Sequence, residues 1–226
     1  MRLLLLGRGK TGALVVEAAH KRGHQIEVLG AAENPRASAL TPQRLAETDV
    51  VIDFTTPHAV LENIEACVRV QKNMVVGTTG WYGELPRIQR MVEGAGIGFL
   101  YGANFSRGVN LFLDAARTAA AVLRQGYSGQ IFERHHAHKK DAPSGTAVHL
   151  QGVVREASGV EPEITSFREG DVVGMHELVL DSPADTIYLC HDAKSRLGFA
   201  EGAVRAAEWL SGKTGFFDFR DIWRQL

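Results

Sequence analysis

Residues 3–6 form an unbroken apolar run that stops at Gly7, and residues 10–22 then place Ala13, Val16 and Ala19 at helical spacing before Gly23. This predicts a strand, a turn and a helix. Residues 25–29 read as a second strand and 49–54 as a third, with Val50, Val51 and Ile52 in succession. Pro57 opens a predicted helix carrying Val60, Ile64, Cys67 and Val68. Residues 74–76 form a fourth strand, 85–92 a helix and 97–101 a fifth strand. Strands that are apolar at every position fit a sheet covered on both faces. Their alternation with helices predicts a parallel sheet with crossover connections.

The pattern changes after Phe105. Residues 107–124 read as one long helix with Val109, Phe112, Leu113, Ala116, Ala120 and Leu123 on its apolar side. Residues 130–136 alternate like a strand, and 144–158 are helical. Residues 172–180 and 185–191 alternate around Ser182-Pro183-Ala184, which predicts an antiparallel hairpin. An amphipathic helix follows over 199–210. The expected fold is therefore α/β, a Rossmann-type domain joined to a second α+β domain with an open mixed or antiparallel sheet.

Composition narrows the function classes. The 226 residues suffice for one domain or two small ones with a sizeable core. A formal net charge of −1 supplies no global field for nucleic acid or an anionic membrane, so any cationic site is local. No apolar run approaches the ~20 residues of a membrane span. Leu3-Leu4-Leu5-Leu6 mimics a signal peptide, but the run is too short and meets Gly7-Arg8-Gly9-Lys10. Cys67 and Cys190 form no Cys-x-x-Cys pair and read as two buried thiols in a reducing compartment. The expectation is a soluble cytoplasmic protein without nucleic-acid or membrane partners.

Gly7-Arg8-Gly9-Lys10-Thr11-Gly12 fits G-x-G-x-x-G between the first strand and the first helix. Its glycines allow a tight turn, approach of a pyrophosphate to backbone, and close helix–strand packing. A triphosphatase loop would need a glycine where Leu4 stands. Glu33, just past the second strand, can bond adenosine ribose hydroxyls, whereas Lys10 and Arg36 can hold a 2′-phosphate. Gly77-Thr78-Thr79-Gly80 and Gly102-Ala103-Asn104-Phe105 follow strands four and five, and Asp53-Phe54-Thr55-Thr56 follows strand three. Ligands bind beyond the carboxyl ends of such strands. The expected cofactor is NADH or NADPH, bound by residues 7–12, Glu33, Gly77, Thr78, Thr79 and residues 102–105.

Residues 133–147 carry the densest chemistry. Three histidines and two lysines fall within positions 135–140, followed by Pro143-Ser144-Gly145-Thr146 at a predicted helix start. Imidazole suits proton transfer near neutral pH, and free N–H groups at a helix N-terminus bind anions. If the strand is regular, His135 and His136 point to opposite faces. Either the strand ends at His135 or one imidazole faces elsewhere.

Glu133-Arg134-His135-His136-Ala137-His138-Lys139-Lys140-Asp141-Ala142-Pro143-Ser144-Gly145-Thr146-Ala147 resembles the signature of the dihydrodipicolinate reductase family, E-x-H-H-x-x-K-x-D-A-P-S-G-T-A. Gly170-Asp171-Val172-Val173-Gly174-Met175-His176 and Ser195-Arg196-Leu197-Gly198-Phe199-Ala200 also match, so the resemblance runs from Gly7 to Asp221. It implies NAD(P)H-dependent reduction of a cyclic imine dicarboxylate, 4-hydroxy-tetrahydrodipicolinate, in diaminopimelate and lysine biosynthesis. It also implies His135 as proton donor and Lys139 as second catalytic residue. His136, Ser144, Gly145 and Thr146 would contact substrate. Residues 197–226 would return to complete the dinucleotide domain of 1–106. Residues 107–196 would bind substrate and assemble a homotetramer through the open sheet. Asn34 stands where the family often has arginine, and the 34–48 and 158–167 regions are short. Arg196 either bonds a substrate carboxylate or acts at a hinge.

His135, His136, His138 and Asp141 imitate a metal site, but they lack helix-spaced partners and the lysines repel cations, so no metal is expected. Two other readings compete: a related nicotinamide-dependent reductase of another imine or amino acid, and a dinucleotide-binding sensor without turnover.

Overall fold

In the computed structural model, which describes residues 1–226, the apolar runs become a parallel sheet. The chain divides into two compact units, Met1–Arg107 with Leu197–Leu226, and Gly108–Arg196. The first unit begins with β1 (Arg2–Leu6), α1 (Lys10–Lys21), β2 (Gln25–Leu29), α2 (Pro42–Leu45) and β3 (Val50–Asp53). It continues with α3 (Val60–Arg69), β4 (Met74–Val76), α4 (Leu85–Ala95) and β5 (Gly98–Tyr101). The second unit holds α5 (Arg107–Ala119, whose first residue belongs to the first unit), β6 (Ser128–His135), α6 (Gly145–Ser158), β7 (Glu163–Arg168), β8 (Met175–Asp181) and β9 (Thr186–Asp192). The chain then returns to the first unit as α7 (Leu197–Leu210), β10 (Gly215–Asp218) and α8 (Phe219–Ile222).

The first sheet has the order β10-β5-β4-β3-β1-β2, with every pair parallel. Leu3 and Leu5 face one apolar cluster with α1 and α7, while Leu4 and Leu6 face another with α3 and α4. Burial on both faces explains the unbroken apolar runs. The strand order reverses direction at β1, so the crevice for a ligand lies beyond the carboxyl ends of β1 and β3.

The second sheet has the order β7-β6-β8-β9 and is mixed: β6 pairs parallel with β7 and antiparallel with β8. One face packs on α5 and α6 through Ile131, Leu150, Val154, Leu178 and Leu180. Phe167 and Tyr188 are exposed on this sheet.

Several expectations change. The helix predicted over 107–124 ends at Ala119 and tightens into a 3-10 segment, Ala120–Gln125. Gly126, at φ 90°, stops it, and such tightening satisfies terminal carbonyls. Helix α3 starts at Val60, because Pro57 lies in the preceding turn. Strand β7 was not predicted, since its residues are mostly half-buried and show no alternation. Cys67 is buried, but Cys190 is exposed; strand alternation carries it outward. No helix is long and apolar enough to cross a membrane.

Candidate functional site

Gly7, at φ 108°, turns the chain out of β1, and a side chain there would overlap the Phe54 carbonyl. At Gly12 an added Cβ would overlap the Gly7 carbonyl, so α1 can only start this close to β1 with glycine. Gly9 is the N-cap of α1, provides no side-chain cap, and has open space around it. The first turn of α1 contains no acidic residue. Gly9 and the first turn, Lys10, Thr11 and Gly12, line a cavity of about 270 Å³ together with Phe54, Thr55, Pro57, Gly77, Thr78 and Thr79. Exposed backbone donors and a lysine at a helix N-terminus fit a pyrophosphate.

Glu33 sits at the end of β2. Its Oε2 accepts from the Gly30 N–H at 2.6 Å, and its Oε1 pairs with the Arg8 guanidinium at 2.7 Å. Arg36 lies elsewhere, directed to Glu62 at 3.4 Å. Residues 102–105 lie outside the cavity lining. Phe105 is buried against Phe219, and an added Cβ at Gly102 would come within 2.8 Å of Phe219, so both serve packing.

A buried network that sequence reasoning did not assign holds these loops together. Asp53, fully buried at the end of β3, accepts at Oδ1 from the Thr55 N–H, the Thr55 hydroxyl and the Thr78 hydroxyl, at 2.9, 2.7 and 2.7 Å. Its Oδ2 accepts from the Asn63 amide at 2.8 Å. The Asn34 amide then donates to Asn63, and the Ala39 N–H donates to Asn34. A carboxylate at one end and a backbone N–H at the other fix the orientation of both amides. Burial raises the Asp53 pKa, and the four donors pull the other way. Asn34, the position that departs from the expected arginine, is thus engaged in structure.

In the second unit β6 ends at His135, resolving the two alternatives for the adjacent histidines. Ile131, Glu133 and His135 alternate onto the buried face. Glu133 is completely buried, and its Oε1 receives the Arg168 guanidinium of β7 at 2.7 Å. Its Oε2 lies in ion-pair contact with Nδ1 of His135. Burial would raise the Glu133 pKa, but bonds from Arg168 and Ser166 and the charges of His135 and Arg168 hold it below the usual carboxylate range. Burial lowers the His135 pKa, Glu133 opposes this, and the charges of Lys139 and Arg168 add to it.

His176 of β8 packs edge-on to His135, with ring centroids 5.1 Å apart, and its Nε2 meets the Ser144 hydroxyl at 3.1 Å. Burial, followed by the charge of His135, pushes its pKa down to about 4, so the ring is neutral at physiological pH. Ser144 is the N-cap of α6, its Oγ accepting from the Ala147 N–H. Gly145 and half-buried Thr146 begin the helix, whose first turn has no acidic residue. This terminus suits a carboxylate.

His135, Ser144 and, through the helix start, Gly145 and Thr146 thus come together. Lys139 instead places its ammonium on both oxygens of Asp141 at 2.8 Å, and His138 is exposed. His136 is half-buried, with its carbonyl closing a turn to the Lys139 N–H. The unanticipated members are Arg168 and His176, and Glu133 had no assigned role. A local signal existed for Glu133, an acid two residues before a histidine on one strand. None existed for Arg168, because strand pairing brings it in.

The family model for the N-terminus of dihydrodipicolinate reductase matches residues 1–105, and that for its C-terminus matches residues 108–223. A 4-hydroxy-tetrahydrodipicolinate reductase of Christiangramia forsetii is 36% identical, covering 100% of this chain and 99% of its own. One from Laribacter hongkongensis is 40% identical over 86% of this chain and 80% of its own. The structure of a dihydrodipicolinate reductase from Paenisporosarcina sp. TG-14, with dipicolinate bound, shares the fold at TM-score 0.79 and 24% identity, covering 98% of this chain and 99% of that one.

Proposed function

Because the chain belongs to the dihydrodipicolinate reductase family, we infer that it reduces 4-hydroxy-tetrahydrodipicolinate with a nicotinamide dinucleotide, on the route to diaminopimelate and lysine. The observation that carries this reading is a partly desolvated His135 at a strand end beside the anion-binding start of α6. The nicotinamide supplies the hydride when bound. The protein must bind a dicarboxylate and deliver a proton. His135 is the proton donor in this reading, and Lys139 the second cationic group, released from Asp141 as substrate carboxylate or developing charge competes for it. Gly145 and Thr146 cradle a carboxylate with backbone N–H groups and a hydroxyl, Ser144 shapes that cradle as the cap, and His136 contacts the substrate. The glycine-rich turn at residues 7–12 takes the pyrophosphate, and Thr78 and Thr79 lie at the nicotinamide side. A sensor would have no use for the proton donor. The test is nicotinamide oxidation by the purified chain, with substrate made in situ from pyruvate and aspartate semialdehyde. Dinucleotide binding without oxidation would favour the sensor or another imine.

The cofactor choice turns on Arg8 and Glu33. Glu33 bonds the ribose diol of NADH, whereas Arg8, freed from Glu33, faces the 2′-phosphate of NADPH together with Lys10. Both cofactors are expected to work. Glu33→Ala removes the carboxylate that repels the phosphate and is expected to raise the NADPH/NADH ratio of kcat/KM about tenfold, or about 1.4 kcal/mol. An unchanged ratio in the same assay would remove Glu33 from the ribose site.

The open face of the β7-β6-β8-β9 sheet, with exposed Phe167 and Tyr188, supports assembly into a homotetramer. Light scattering is expected to give four times the 24.6 kDa chain mass, and Tyr188→Glu to reduce it. A monomer in the unaltered protein would end that reading. The free thiols Cys67 and Cys190 fit a cytoplasmic location, which cell fractionation checks.

A further inference from the structure

The buried carboxylate behind His135 has no part in the reading so far. Glu133 is fully buried on β6, two residues before His135 and on the same face. Its Oε1 is held by Arg168 at 2.7 Å, while Oε2 contacts His135 Nδ1. Neither that Oε2 nor that Nδ1 has a hydrogen-bond partner elsewhere, and the ion-pair contact between them is the one polar contact each makes. On the far side of the ring, an added Cβ at Gly174 would come within 3.0 Å of Nε2. Glycine therefore keeps the second nitrogen unobstructed by its own side chain.

We propose that Glu133 is a positioning residue for the reaction, acting through His135, with Arg168 balancing its charge. The carboxylate keeps the proton on Nδ1, so that Nε2–H is the bond that breaks when substrate takes the proton. The imidazolium becomes neutral imidazole with its proton still on Nδ1, and Glu133 remains ionised throughout. The arrangement resembles in its physics the acid that orients a catalytic histidine in hydrolases. The proposal rests on the assignment of His135 as proton donor.

Glu133, His135 and His176 also bring one potential ligand atom each within 4.8 Å. Glu133 and His135 touch directly, however, and Arg168 already occupies the same carboxylate. Ligands of one zinc each lie about 2 Å from it and must leave space for it, and a guanidinium repels it. The cluster is built to hold a proton.

The charged and titratable groups facing His135 are Glu133 on its own strand, Arg168 on β7, His176 on β8 and Lys139 in the following loop. Glu133 raises the affinity of His135 for its proton, and Arg168 lowers it. The two neighbours therefore have opposite effects. Activity needs protonated His135, so it falls as pH rises through the His135 pKa. Glu133→Gln is expected to move this alkaline limb to lower pH by about one unit and to lower kcat at neutral pH about tenfold, with KM for the dinucleotide unchanged. Arg168→Met is expected to move the limb to higher pH.

The experiment records kcat against pH for the intact enzyme and both variants, and the imidazole titration of His135 by NMR. Opposite displacements in the two variants support the proposal, since a purely structural defect would not move the limb in two directions. Coincident limbs, or displacements of the same sign, overturn it. If Glu133→Gln does not fold, Glu133→Asp, which keeps the charge but draws it back from Nδ1, takes its place, and a limb unmoved from that of the unaltered enzyme overturns the proposal. A His135→Gln variant run alongside keeps the two readings separate. Full turnover there defeats the proton-donor assignment, whereas its loss with unmoved limbs defeats only the role of Glu133.

Discussion

Replacing His135 by glutamine is expected to lower kcat by about 10²–10⁴-fold, the range that a general acid contributes. Glutamine keeps a polar head of similar reach beside Glu133 but has no transferable proton at neutral pH. The ring it replaces is 8% exposed at the end of β6, so the substitution alters its contact with Glu133 and its edge-on packing with His176 but leaves the strand pairing of β6 in place. The loops proposed to bind the dinucleotide belong to the other compact unit, and NADH affinity is expected to stay at its unaltered value. Steady-state turnover and a fluorescence titration with NADH check both halves. Equal loss of turnover and of cofactor binding would count against a proton-transfer role. A retained turnover number would assign the proton to Lys139.

The second large effect concerns Asp53. Asp53→Leu leaves the Thr55 and Thr78 hydroxyls and the Asn63 amide without their acceptor in a buried site, while the Thr55 N–H keeps the Thr78 hydroxyl oxygen at 2.7 Å. Buried donors left unsatisfied cost about 1–3 kcal/mol each, and partial relaxation brings the expected loss to about 3–5 kcal/mol. Asp53→Asn is expected to cost less. Its oxygen can still serve the three donors on Oδ1, but its amide then faces the Asn63 amide. Asn63 cannot simply turn over, because its oxygen accepts from Asn34. Denaturant unfolding of the intact chain measures both variants, and Thr55 and Thr78 line the cavity at the start of α1 that is proposed to take the dinucleotide, so affinity should fall in parallel. Unfolding of the leucine variant at the unaltered midpoint would show that water or rearranged loops replace the carboxylate.

The same two sites show how far the sequence could be read. The parallel sheet was legible because burial on both faces demands apolar residues at every strand position, as in Leu3–Leu6. The glycine-rich turn was legible because Gly7 and Gly12 answer steric demands made by residues close by or on the neighbouring strand. Ser144 was legible because a helix cap is a local device, whereas His135 was singled out by the family resemblance of residues 133–147. Strand β7 was not legible. It is a half-buried edge strand, and such a strand shows neither an apolar run nor alternation.

From the sequence alone came the strand–turn–helix that presents backbone donors and the helix start at Ser144, whereas the structure decided that β6 ends at His135. The first two depend on backbone geometry and burial within a few residues. Only the tertiary structure decided that Arg168 and His176 flank Glu133 and His135, that Arg8 rather than Arg36 meets Glu33, and that Asp53 ties four segments together. Each depends on register between strands or on loops meeting across a sheet. A one-residue slip in β7 would turn Arg168 to the opposite face without changing any local pattern in the sequence.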